Sequence, residues 1–265
     1  MSSVMLDAVH ARSETSPGDV TRARPVDPSR ANREMAPRLS FSDDDMIDPI
    51  PVPEGEVTLV EGARGTEPMR HRLVVEQARA GQATMHVLGG DRLDTTGLAR
   101  RAQADNLDPG YVLRSSIVAR AFTAYQLSVL VEERLPQALA RVDRLSVALV
   151  VDPLRLYTDE DVRRAEAKRL ASRAFDEIAT TAETNKLPVV LVQPPRAERP
   201  ELLEQARELA TKHVLVQAQG EGSVQSGQRR PELVVTLPGE DQRHRVQDPR
   251  RCQARLNRFT SGGTA

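Results

Sequence analysis

The sequence predicts an α/β domain whose mostly parallel sheet is covered by helices on both faces. Short β-rich apolar runs, VTLV at 57–60, LSVALVV at 145–151 and PVVLV at 188–192, alternate with longer stretches of helical periodicity. The runs at 145–151 and 188–192 are almost uninterrupted. Such runs suit strands buried on both faces rather than strands with one wet face. Parallel strands need crossover connections, and crossover helices cover the sheet on both sides.

The chain's 265 residues give room for one such domain with tails. Aromatics make up 3% of the sequence and tryptophan is absent, so Val, Leu, Ala and Ile must build the core. The formal net charge is only −1, so bulk charge predicts neither nucleic-acid nor membrane binding. Cys252 is the one cysteine, which excludes an intrachain disulfide and a cysteine-based zinc cluster. No run has the length of a signal-peptide core or a membrane span. A soluble, cytoplasmic protein without a membrane partner is expected.

Residues 1–40 mix Ser, Pro, Arg and Asp with little periodicity, the composition of a disordered arm. Residues 41–240 are expected to form the core domain, and 241–265 a basic C-terminal helix or tail. Within the core, the stretch after Val57–Val60 has helical spacing from Met69 to Gln77. Ala83–Leu88 reads as a strand ending in Gly89-Gly90-Asp91, and Leu93–Ala104 as a helix capped by Asp94 or Thr95. A turn and a strand near Ser116–Ala119 follow. Thr123–Val142 then spaces Leu127, Leu130, Val131, Leu135 and Leu139 helically, with Pro136 marking a kink or break. After the strand Leu145–Val151 comes a long helix over Thr158–Lys186, opened by Thr158 and Asp161 in a near capping box. Pro188–Val192 is the next strand, Glu198–Lys212 a helix, and His213–Gln217 and Glu232–Leu237 strands. The last two, joined by a Gly/Ser/Gln-rich turn, suit an antiparallel hairpin at the sheet edge.

Strand, glycine loop and helix over Val57–Val75 have the local architecture of a phosphate-binding loop. The pattern G-x-x-x-x-G-K-[ST] begins at Gly62 and runs through Ala63, Arg64, Gly65 and Thr66. Glu67, Pro68 and Met69 then stand where glycine, lysine and a hydroxyl belong. Glu67 sets a carboxylate against phosphate. Pro68 removes an ammonium and a backbone donor, and Met69 has no hydroxyl for magnesium. Two readings fit the loop alone: a vestigial phosphate site, or an ordinary strand–turn–helix. Asp152 closes the apolar strand Leu145–Val151. A carboxylate there can orient the water shell of magnesium, as in a Walker B strand.

The chain resembles the RecA/RadA recombinase core, particularly archaeal RadA-like paralogs and KaiC-like ATPases, over roughly 54–237. The most specific stretch is LDPGYVLRSSIVARAFTAYQLSVLVEERL, 107–135, in which Arg120-Ala121-Phe122 follows the third core strand. LSVALVVDPL is similar to a Walker B strand, and VVLVQPP to the strand whose end carries a phosphate-sensing polar residue. The resemblance implies a three-layer RecA-like P-loop NTPase core with a mostly parallel sheet and an antiparallel C-terminal edge. It further implies Asp152 as a vestigial metal-site residue, Gln193 as the phosphate sensor, and Asp91 in the region of the water-activating residue.

Without the loop's lysine, hydroxyl and second glycine, efficient ATP hydrolysis is not expected, and no cofactor is called for. The expected function is that of a non-catalytic RecA/RadA-like paralog, a binding or regulatory protein in DNA recombination or repair. Its partners would be a RadA-type recombinase, another repair protein, or DNA bound without regard to sequence. The alternatives are an ATP/Mg-dependent enzyme using Asp91, Asp152 and a compensating Arg64 or Arg70, and a KaiC-like regulatory module. Arg243, Arg245, Arg250, Arg251, Arg255 and Arg258 are candidate DNA-phosphate contacts. A solvated basic face accounts for them equally well.

Overall fold

In the computed structural model, which describes residues 36–41, 49–62, 66–90, 92–194, 199–219, 232–236 and 243–247, a small ladder precedes the main sheet. Arg38–Leu39 (β1) pairs antiparallel with Ile50–Pro51 (β2). Leu39 and Ile50 are buried beside Phe41 and Val52. The segment expected to be an arm therefore contributes to the core before residue 41. Leu39 is apolar enough to be drawn under the first helix.

Val57–Glu61 (β3) then leads to the helix Thr66–Arg79 (α1), and Ala83–Gly89 (β4) to Thr95–Ala104 (α2) and Pro109–Arg114 (α3). Ser116–Ala121 (β5) is followed by Ala124–Val129 (α4), a π-helical turn at Leu130–Arg134, and Leu135–Arg141 (α5). Leu145–Val151 (β6), Leu154–Tyr157 (α6), Arg164–Asn185 (α7), Val189–Gln193 (β7) and Pro200–Leu209 (α8) come next. Lys212–Gln219 (β8), Glu232–Thr236 (β9) and Arg243–Gln247 (β10) complete the described elements.

The main sheet has eight strands in the order β10-β9-β8-β3-β7-β6-β4-β5. Neighbours from β8 through β5 are parallel, whereas β9 and β10 are added antiparallel to their predecessors. Strand alternation divides the core into two layers. Val57 and Leu59 of β3, Ala148 and Val150 of β6, and Val189 and Leu191 of β7 face the cluster built with α4 through α8. Val60, Leu149, Val190 and Val192 face the cluster shared by α1, α2, α3 and the β1–β2 ladder. The result is a three-layer α/β/α architecture of the RecA-like kind, with a mostly parallel sheet and an antiparallel C-terminal edge.

Local chemistry explains where the elements differ from the sequence expectation. At Pro136 the helix does not break. The helix widens instead to a π turn, in which the Leu135 N–H donates to the Leu130 carbonyl. The wider turn accommodates a proline that has no N–H and crowds the preceding turn. The long helix starts at Arg164 rather than Thr158. The Thr158 hydroxyl donates back to the Arg155 carbonyl at 2.7 Å, closing the short α6, and the Asp161 N–H donates to Asp159 Oδ1. Both capping groups are thus committed to a turn. The helix ends at Asn185 on a left-handed Lys186 (φ 52°). Pro109–Arg114, expected as a turn, is a short helix because the Asp108 carboxylate accepts from the N–H groups of Gly110 and Tyr111. Arg243–Gln247, assigned from sequence to a basic helix or tail, is a sheet strand in register with Glu232–Thr236. As the edge strand it is paired with β9 on one side. Among the described residues, no helix is long and apolar enough to cross a membrane.

Candidate functional site at the carboxyl end of the sheet

Strand β3 ends at Glu61 and the chain turns at Gly62, whose N–H donates to the Gln193 carbonyl at 3.0 Å. A Cβ at Gly62 would lie 2.8 Å from Val216 Cβ and 2.9 Å from the Val216 carbonyl. Close approach of β8 therefore requires glycine here, independently of any ligand. Ala63, Arg64 and Gly65 lie outside the described residues, as does Asp91.

Helix α1 begins at Thr66, so Glu67, Pro68 and Met69 all occupy its first turn. Proline fits because the first helical N–H groups have no intrahelical acceptor. Met69 is 0% exposed and packs into the cluster with Val60 and Leu73. It is a core residue, which explains the apolar side chain where a hydroxyl was sought. Glu67 and Pro68 are half-buried.

The fold brings Gly62, Asp152 and Gln193 together on neighbouring strands. Gln193 is paired with Glu61 across β3 and β7. Its Nε2 donates to Asp152 Oδ1 at 3.1 Å, and its Oε1 accepts from the Leu154 N–H at 3.3 Å. Asp152 adopts φ 49°, a left-handed conformation that aspartate tolerates better than most side chains. Its backbone N–H donates to the Val192 carbonyl at 2.8 Å. Gly89, at the end of β4, lies against the Asp152 carbonyl, which a Cβ would overlap. The glycine after β4 therefore serves the close approach of that strand to Asp152. Arg120 donates to the Gly90 carbonyl at 2.9 Å and stacks over Phe122, 4.6 Å from the ring centroid. The Phe122 N–H donates to Gln126 Oε1 at 2.7 Å. These contacts hold the turn between β5 and α4.

Glu61 was not singled out in the sequence, yet it anchors a charge cluster at this end of the sheet. It is 1% exposed. Arg207 Nε donates to Glu61 Oε1 at 2.6 Å and Arg207 Nη2 to Oε2 at 2.8 Å. His213 Nε2 lies 2.7 Å from Oε1. Burial works against the ionised carboxylate, but the Arg207 hydrogen bonds and the close contact with His213 outweigh it and hold its pKa down at about 2. The signal available in the sequence was an acid closing a strand that is apolar apart from Thr58.

A second polar group lies behind the first turn of α1. Arg70, His71, His86, Leu93 and Asp94 line a narrow cavity there, without room for a water molecule. His86 is 1% exposed, and neither ring nitrogen has a hydrogen-bond partner. Burial, aided by the positive charge of Arg70, drives its pKa down to about 3, so the ring is neutral. Of the candidate DNA contacts, Arg243 and Arg245 belong to β10, while Arg250, Arg251, Arg255 and Arg258 lie outside the described residues. No family model matches the chain, and no curated protein matches it either.

Proposed function

We propose that this chain is a non-catalytic RecA/RadA-like paralog that acts in the cytoplasm by binding, as a regulatory protein in DNA recombination or repair. The observation that carries this reading is the first turn of α1. Where a polyphosphate would meet backbone donors and an ammonium, the chain presents Glu67, a donorless Pro68 and a Met69 sunk in the core. Phosphoryl transfer depends on positioning and on charge stabilisation, and this turn supplies neither. The hydrogen bond from Gln193 to Asp152 supports the same reading, because the amide N–H engages a carboxylate oxygen otherwise available to a metal's water shell.

On this reading the partner is a RadA-type recombinase or another repair protein, with DNA bound through phosphates alone. Calorimetric titration with Mg·ATP should give no binding at micromolar concentration, and ATP turnover should equal that of buffer. A pull-down from the native cell followed by mass spectrometry should recover recombination or repair proteins. An ATPase rate abolished by Asp152→Ala would replace this reading with that of an enzyme using an unorthodox loop. Recovery of proteins outside DNA metabolism would favour a KaiC-like regulatory role.

A further inference from the structure

We propose that Glu67, His71 and Asp94 form a binding site for a divalent transition-metal ion of the zinc class. Glu67 and His71 stand four residues apart on α1, one helical turn, so their side chains leave the same face. This spacing on a helix is one that metal-binding side chains use. Asp94 comes from the neighbouring element as the cap of α2. Its Oδ1 accepts from the Gly97 N–H at 2.9 Å, and its Oδ2 lies 4.0 Å from His71 Nε2. One donor atom from each of the three residues falls within 4.8 Å of the others. An ion with bonds of about 2.0–2.1 Å needs its donors roughly 3.3 Å apart. Small rotations of half-buried carboxylates supply that closure.

The close approach of the two helices depends on Gly97. A Cβ there would come within 2.5 Å of His71 Cε1. The second, independent observation is His86 on β4. It lines the same cavity as His71 and Asp94, is 1% exposed, and has no partner for either ring nitrogen. A buried imidazole without partners is costly. It is an orphaned polar group on the lining that His71 and Asp94 share, where a bound ion would be its neighbour.

The donor set names the class. Imidazole with carboxylates suits zinc, cobalt, nickel or manganese, whereas calcium and magnesium prefer oxygen alone. Arg70 also lines the cavity. The two carboxylates offset its charge and still leave a net negative set for the ion. This assignment does not rest on the recombinase reading, and either can fail without the other.

The test is calorimetric titration of the full chain, freed of metal by chelator, with zinc chloride. Parallel titrations use Glu67→Gln, His71→Ala and a control in which His10 and His244 are both alanine. The parent and the control should bind zinc alike, and each site variant should lose at least about tenfold in affinity, the least that loss of even an outer-shell partner typically costs. Cobalt loaded into the parent should show visible d–d absorption that weakens in Glu67→Gln, a conservative change that keeps the fold should His71→Ala not. Millimolar magnesium should fail to displace zinc. Absence of zinc binding to the parent, equal affinity in Glu67→Gln, or loss confined to the His10/His244 control overturns the proposal. So does displacement by magnesium.

Discussion

Arg207 grips both carboxylate oxygens of Glu61, with Nε 2.6 Å from Oε1 and Nη2 2.8 Å from Oε2. The pair joins the end of β3 to α8 across 146 residues of sequence. Glu61 is buried and Arg207 partly exposed, so the carboxylate depends on the guanidinium more than the reverse. Losing Arg207 strands a charge, whereas losing Glu61 returns an arginine to water.

Arg207→Met is therefore expected to destabilise the protein by about 3 kcal/mol, near the lower end for breaking a buried pair because His213 remains beside the carboxylate. Urea unfolding monitored by circular dichroism measures it. Glu61→Gln with Arg207→Met should recover part of the loss. A double variant no more stable than Arg207→Met would show that the pair has no such asymmetry.

The same carboxylate sets an acid response. Its pKa falls from 4.5 to about 2 in the folded protein. A depressed carboxylate pKa contributes stability that is present above pH 4.5 and is lost as the pH falls towards 2. The contribution is roughly 3 kcal/mol from a shift of this size, as an order of magnitude. Between pH 5 and 2.5 the parent should lose more stability than Glu61→Gln.

Gln193→Leu removes the donor to Asp152 and the acceptor for the Leu154 N–H. The expected cost is about 1–3 kcal/mol, the range for leaving buried polar groups unsatisfied. Gln193→Glu sets a second carboxylate against Asp152, and its deficit should shrink as the pH falls towards 4. A deficit independent of pH would argue against direct contact between these side chains.

Giving the loop phosphate-binding chemistry has to respect the core. Met69→Thr should cost about 2–4 kcal/mol, because it empties a fully buried site and inserts a hydroxyl. Glu67→Gly with Pro68→Lys leaves Met69 in place and returns an ammonium and a backbone donor. That double variant should bind ATP in calorimetry where the parent does not. Equal titrations of the two proteins would mean that Gly62–Thr66 was never a phosphate site.

For DNA, deletion of residues 248–265 spares β10 and removes Arg250, Arg251, Arg255 and Arg258. Truncation at 243 would instead strip a sheet strand and confound affinity with folding. Binding to DNA of arbitrary sequence should fall steeply with salt and weaken in the 248–265 deletion. Unchanged affinity in that deletion would remove the C-terminal arginines from consideration.

The sequence alone determined the layered α/β class, because near-continuous apolar runs at Leu145–Val151 and Pro188–Val192, alternating with helical stretches, suit strands inside a covered parallel sheet. It also narrowed the cap of α2 to Asp94 or Thr95, of which the structure uses Asp94, and showed Glu67-Pro68-Met69 to lack a glycine, a lysine and a hydroxyl. Helix starts were misjudged where a hydroxyl or carboxylate had two backbone targets. Thr158 took the carbonyl behind it rather than the helix ahead. Tertiary structure alone decided that Met69 faces the core, that Gln193 bonds Asp152, and that Glu61 finds Arg207 and His213. Those partners lie far apart in the chain, and local periodicity says which face a residue occupies but not which distant charge will meet it there. His86 shows this most plainly. On its strand it reads, like Thr84, as a polar residue among apolar ones, and only the packing of α1 and α2 against β4 sets its ring beside His71 and Asp94.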